Sequence, residues 1–203
     1  MKIAILGPPG SGKGTQIELI NKDYKIPIIA VGASLRNIKD KKLNLYVNSL
    51  LKKGNFAPDI IADKIVLKNI KQKNFILDGY PRDLSEAIFL DKKVKLDKVF
   101  LLKIDKKTIV NRLNNRRICS CGRTYNLLTK KPKHDLKCDR CKKILVKRLD
   151  DYSKAINNRI SLYKKKTLPV IRHYKHLKML IEIDADKEVI EIYNNIKKHL
   201  RNI

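Results

Sequence analysis

Short apolar runs alternate along this chain with longer stretches in which apolar residues recur every three to four positions. Lys2 to Leu6 reads as a buried strand, and Ile26 to Val31, Asn74 to Leu77, Val99 to Ile104 and Leu180 to Ile183 read as further strands. Between the first two, Thr15 to Asn21 begins a helix. From Ser34 to Lys53 the residues Leu35, Ile38, Leu43, Val47 and Leu50 fall near helical spacing, and Gly54 is placed to stop that helix. Pro58-Asp59 opens another, carried on by Ile61, Ile65 and Leu67. Thr108 to Arg116, a long stretch from about Asp151 to about Tyr174, and Lys187 to Leu200 complete the predicted helices. Strands alternating with helices predict an α/β fold, a parallel sheet with helices on both faces. No internal repeat is visible. Only Ile118 to Val146 breaks the pattern, and it reads as an inserted lobe.

Length and composition add bounds. A chain of 203 residues with 43% hydrophobic content fits one compact domain with small inserted lobes, and can bury a core without disulfides. The charge is unusual: 47 Lys and Arg against 20 Asp and Glu give +27. The basic residues are scattered rather than gathered in one block. They therefore read as a lysine-rich surface that favours anionic substrates such as nucleotides, with a nucleic-acid or anionic-surface partner as the competing reading. The opening run Ile3 to Leu6 is too short for a secretory signal, and no apolar stretch approaches the roughly 18 residues of a membrane span. A cytoplasmic location with no membrane partner is expected. All four cysteines lie between Cys119 and Cys141, which in a reducing compartment points to metal before disulfides.

The most specific chemistry follows the first strand. Gly7-Pro8-Pro9-Gly10-Ser11-Gly12-Lys13-Gly14-Thr15 matches G-x-x-x-x-G-K, with Gly14 where Ser or Thr usually follows the lysine. Glycines let backbone N–H groups converge on phosphate oxygens, the helix N-terminus adds partial positive charge, and Lys13 adds a full one.

With Gly-Lys-Gly-Thr-Gln at its end, the stretch Gly7 to Gln16 resembles the opening of adenylate kinases. The likeness continues over nearly the whole chain: Gly32, Leu35 and Arg36; Gly54 with Pro58-Asp59; Leu77 to Arg82; Arg116-Arg117; and Arg148, Asp150-Asp151 and Arg159. The resemblance implies a P-loop core made of residues 1–29, 60–114 and 151–203. It also implies a monophosphate-binding lobe at 30–59 and a lid at 115–150. It implies reversible transfer, ATP and AMP giving two ADP with Mg²⁺, by a monomer, with no specific nucleic-acid partner.

Such transfer needs positioning, charge neutralisation and exclusion of water. By the resemblance, Lys13, Arg82, Arg116, Arg148 and Arg159 are catalytic. Gly10, Ser11, Gly12, Lys13, Gly14 and Thr15 hold ATP together with Arg112, Arg116 and Tyr125. Gly32, Arg36, Ala57, Gly79, Arg82, Glu86, Arg148 and Arg159 form the monophosphate site. Asp78, at a strand end, is placed to hold Mg²⁺ through water. Asp150 and Asp151 are expected to work with the lid arginines as a closed-state latch of exposed pairs, which add little stability.

Cys119, Cys121, Cys138 and Cys141 make a natural four-thiolate structural zinc site. The second pair has the usual two-residue spacing, whereas Cys119-x-Cys121 has one residue where zinc-bearing lids of the family have two. A three-cysteine site helped by His134, or a site without metal, stays open. The rival class is a basic zinc ribbon that binds nucleic acid, which would leave the phosphate loop and the ordered arginines unexplained.

Several positions depart from the family pattern: Val31 for Thr, Ala33 for Asp, Glu86 for the Gln that reads adenine, and Ala185 for Gly. A carboxylate only accepts hydrogen bonds, and suits guanine's two donors better than adenine's mixed edge. Either Glu86 turns away from the base, or the acceptor is another monophosphate such as GMP.

Overall fold

The computed structural model describes residues 1–201; the last two residues of the 151–203 segment lie outside it. Its centre is a parallel sheet built from β1 (Lys2–Leu6), β2 (Ile28–Ala30), β3 (Phe75–Asp78), β4 (Lys98–Lys103) and β7 (Leu180–Asp184), in the order β2-β3-β1-β4-β7. Strand side chains alternate between two cores, as the pleat requires. Ala4, Leu6, Phe75, Leu77, Val99 and Leu101 face one; Ile3, Ile5, Ile76, Phe100 and Leu102 face the other. The first core is covered by α2 (Val31–Arg36), α3 (Lys41–Lys52), α4 (Asp59–Asn69), α5 (Leu84–Asp91) and α8 (Leu168–His176). The second is covered by α1 (Lys13–Tyr24) and α9 (Val189–Leu200).

Off the carboxyl side of the sheet, α6 (Lys106–Asn114) packs Ile109 and Leu113 against Ile156 and Ile160 of α7 (Ser153–Leu162). The cysteine segment is a small lobe with its own core of Cys119, Tyr125, Cys138 and Leu145. It is framed by the antiparallel pair β5 (Arg116–Ile118) and β6 (Thr124–Asn126).

Several boundaries differ from the sequence reading, each for a local reason. The single helix expected over Ser34–Lys53 is two. Asp40 accepts from Leu43 N at 2.8 Å and so caps α3, while Asn44 Nδ2 donates to the Arg36 carbonyl that α2 leaves open. The strand expected to reach Val31 stops at Ala30, because Val31 already begins α2. Asp105 caps α6 by accepting from Lys107 N, so the helix begins and ends two residues early, and Arg116 falls on β5. The long helix from Asp151 starts at Ser153 and is interrupted by a π-helical turn, Tyr163–Thr167, in which Leu168 N–H bonds the carbonyl of Tyr163.

Candidate active site

The loop after β1 turns through Gly10 (φ 81°) and Gly12 (φ 92°), conformations that favour glycine, and delivers Lys13 as the first residue of α1. Gly12 caps the helix without a side-chain bond. Lys13 folds back over the loop, its Nζ donating to Gly7 O at 2.7 Å, Pro8 O at 2.9 Å and Ser11 Oγ at 3.3 Å. Burial lowers its pKa from 10.5 to about 7; Asp78 opposes this, and Arg159, Arg82 and Arg116 add to it. Gly14 and Thr15 occupy the next two positions of α1. Asp78 ends β3, and its carboxylate takes no hydrogen bond from any described side chain or backbone group. This suits a cation held through water.

Arg112 reaches across from α6, donating from Nη2 to Ala185 O at 3.1 Å and from Nη1 to Ser11 O at 3.5 Å. It therefore joins the phosphate loop to the Asp184–Asp186 turn.

Opposite the loop lies a fan of arginines drawn from four stretches of chain. Arg116 comes from β5, Arg148 from the end of the cysteine lobe, Arg159 from α7 and Arg36 from α2. Two aspartates bind them together. Asp150 accepts from Arg148 Nε at 2.8 Å and Nη2 at 2.6 Å, from Arg36 Nη2 at 3.0 Å, and pairs with Arg159 Nη1 at 3.3 Å. Asp151 accepts from Arg116 and from Arg159 Nη1 at 2.9 Å. Burial would raise the Asp150 carboxyl, but Arg148, Arg159 and Arg36 hold it far below the usual carboxylate range. Burial, and then crowding by like charge, brings Arg36, Arg116 and Arg159 each down to about 10. The expectation that these pairs are exposed is corrected here. Both aspartates are buried.

Arg82 follows the sharp turn at Gly79, its Nε donating to Gly79 O at 2.8 Å, with Thr167 Oγ1 donating to its carbonyl at 2.7 Å. A methyl group built on Gly32 would lie 3.2 Å from Arg82 Nη2 and 3.3 Å from Arg36 Nη1, so both guanidinium groups converge over that glycine. Beside them a narrow cleft is lined by Val31, Leu35, Phe56, Ala57, Ala62, Gly79, Arg82 and Glu86. Phe56 also lies under the Arg82 guanidinium, 5.4 Å from its carbon to the ring centroid. Phe56 and Thr167 are site residues that sequence reasoning misses, since neither belongs to a motif.

Glu86 is buried on α5 and does not turn out of the cleft: its Oε2 accepts from Arg82 N at 2.6 Å. Burial raises its pKa from 4.5 to about 8, against the opposing effect of Arg82 and with a further rise from Asp83 and Asp59.

In the small lobe the sulfurs of Cys119, Cys121, Cys138 and Cys141 all lie within 4.8 Å of one another. A tetrahedral ion with sulfurs at roughly 2.3 Å needs sulfur–sulfur edges of about 3.8 Å, so the set fits such an ion despite the shortened first pair. His134 contributes no ligand atom to this group. Tyr125 donates to or accepts from Cys138 Sγ at 3.4 Å and accepts from Asp139 N at 2.9 Å. Its hydroxyl lowers the Cys138 thiol pKa, against burial, with help from the N–H groups of Cys141 and Arg140. Tyr125, expected beside ATP, is buried in the cysteine core and buttresses the knuckle.

A phosphate loop, a converging set of arginines and a separate apolar cleft, all at the carboxyl end of one parallel sheet, define a P-loop phosphotransferase. The model of the family "Adenylate kinase" matches residues 5–179. Adenylate kinases from Kosmotoga olearia (39% identical, covering all of both chains) and Thermoanaerobacter sp. strain X514 (37%, covering 98% of each) are similar throughout. So is that of Petrotoga mobilis, at 36% over all of this chain and 98% of its own. The chain belongs to the adenylate kinase family, the nucleoside monophosphate kinases that make ADP from ATP and AMP.

Among the described residues no helix is long and apolar enough to cross a membrane.

Proposed function

We propose that this chain moves the γ-phosphoryl group of ATP onto AMP, reversibly, as a monomer, with Mg²⁺ accompanying ATP. One observation carries the reading: Lys13 on the phosphate loop and Arg36, Arg82, Arg116, Arg148 and Arg159 from distant segments are gathered around one space between loop and cleft.

In this reading Gly10 to Thr15 wrap the triphosphate, and Lys13 gives up its carbonyl partners for the β- and γ-phosphate oxygens. Arg112 flanks the donor base. Arg36 and Arg82 grip the acceptor phosphate, which enters beside Gly32. Arg116, Arg148 and Arg159 leave Asp150 and Asp151 in part to meet the transferring phosphoryl, for which their planar forks are suited. The acceptor base fills the cleft beside Ala57, Gly79 and Glu86. Mg²⁺, held through water at Asp78, would neutralise phosphate charge. The lobes at 30–59 and 115–150 close over the substrates and keep water from becoming the acceptor. A zinc ion on the four cysteines would be structural, because four protein ligands leave no open position.

The test is a coupled assay of ADP formation with ATP, Mg²⁺ and AMP. Turnover that falls at least a thousandfold in Lys13→Ala, while circular dichroism is unchanged, supports the reading. Absence of turnover in the folded wild-type chain overturns it.

A further inference from the structure

The acceptor cleft poses a donor–acceptor problem that the rest of the site does not solve. Of its lining side chains only Arg82 and Glu86 carry polar atoms. Arg82 is directed to the phosphate side, with Nε on Gly79 O and Nη2 over Gly32. Base reading by a side chain therefore falls to Glu86. Its two oxygens are not equivalent: Oε2 is fixed as an acceptor by Arg82 N–H at 2.6 Å, and Oε1 has no hydrogen-bond partner among the described residues. A proton on the carboxyl group thus belongs on Oε1, giving an O–H donor beside a carbonyl acceptor.

That pair matches adenine, whose N1 accepts and whose amino group donates. The ionised group offers two acceptors, which match the N1–H and amino donors of guanine.

We propose that Glu86 reads the acceptor base as a neutral carboxylic acid, selecting AMP while protonated and losing that preference toward GMP when it ionises. The inference rests on the phosphotransferase reading above. The surroundings favour the acid form. From α4, Asp59 brings negative charge, and Asp63 is tied to Tyr80, whose hydroxyl also donates to the Glu86 carbonyl. Asp83, at the start of α5, adds more and is only partly offset by Lys166 of the π-helical turn. From α2, Val31 and Leu35 present apolar surface. Arg82 opposes them through its N–H bond and its charge. Burial raises the carboxyl pKa to about 8, inside the range in which the enzyme can be assayed.

The experiment is kcat/KM for AMP and for GMP, with ATP and Mg²⁺, from pH 6.5 to 9 in wild type and Glu86→Gln. Gln keeps the shape, the Arg82 N–H bond and a permanent donor. Lys13 and the substrate phosphates titrate in both proteins, so the ratio of the two profiles isolates Glu86. The expected ratio for AMP falls about tenfold between pH 7 and pH 9, as the protonated fraction of a group with a pKa near 8 does, while GMP turnover gains on AMP in wild type only. A ratio for AMP that is flat across this range overturns the inference and leaves the phosphotransferase reading standing. AMP turnover absent from both proteins at every pH overturns that reading itself, and the inference with it.

Discussion

Asp151 holds Arg116 along one whole edge of its guanidinium, accepting from Nε at 2.6 Å on one oxygen and from Nη2 at 2.5 Å on the other. The carboxylate has no exposed surface, and Arg159 shares it. Removing the charge leaves the largely buried Arg116 without its counter-ion and Arg159 with Asp150 alone. Asp151→Asn should therefore cost about 3 kcal/mol in urea unfolding, the range found when one partner of a buried pair is lost. Glu182→Gln, which breaks an exposed pair with Lys103, should cost no more than about 0.5 kcal/mol.

Lys13 makes nucleotide binding a proton-uptake reaction. In the free protein its pKa lies near 7, and triphosphate oxygens favour the charged form. At pH 8, calorimetry of ATP binding in buffers of different ionisation enthalpy should show uptake of up to about one proton, absent in Lys13→Met. The sign for folding is opposite to that of a salt-bridged lysine. Between about 7 and 10.5 the unfolded chain holds the proton that the folded chain has released, so this group's contribution to stability rises with pH.

Gly54 sits at the junction of α3 with α7. Its φ is +80°, and a methyl group there would lie 2.4 Å from the Ala155 carbonyl oxygen. Gly54→Ala should lose at least about 2 kcal/mol, from left-handed strain and from backbone that has to move. Gly14→Ala meets nothing within 4 Å and replaces a helical glycine; it should gain roughly 0.5–1 kcal/mol.

The cysteine lobe has little core besides its sulfurs, Tyr125 and Leu145. Zinc added to the metal-free protein should bind at about one ion per chain and raise the melting temperature, and a strong chelator should reverse both. Cys138→Ser should abolish the effect. Tyr125→Phe should weaken it while leaving stoichiometry unchanged, because the hydroxyl that supports Cys138 is lost.

The sheet and the phosphate loop are legible in the sequence because strand period, glycines and lysine are local signals. Short α5 is not anticipated, although Asp83 with Glu86 three residues later is a helix-start pattern; Leu84, Ala87, Ile88 and Leu90 show no clean face to support it. The break between α2 and α3 is hidden because the apolar spacing runs straight across Asn37–Asp40, and only the side-chain caps reveal it. Asp150 and Asp151 read as surface acids, since the arginines that bury them arrive from residues 36, 116, 148 and 159. The direction of Tyr125 is likewise set by a knuckle that closes around it. Local chemistry can be read along the chain, whereas burial of a charge depends on partners that the fold supplies.

The π-helical turn at Tyr163–Thr167 acts as a phase shifter. On one side of it Ile156 and Ile160 pack toward α6; on the other Val170, Ile171 and Tyr174 pack toward the core beneath the acceptor cleft. The wide turn spends five residues where a regular α-turn spends about four, so deleting one of the three lysines there would let α7 and α8 run on as one regular helix with their faces kept. Thr167, the residue that closes the turn, is the one whose hydroxyl holds the Arg82 carbonyl. The turn thus lets one run of helix serve two anchors, Arg159 in the arginine–aspartate network and Thr167 against Arg82.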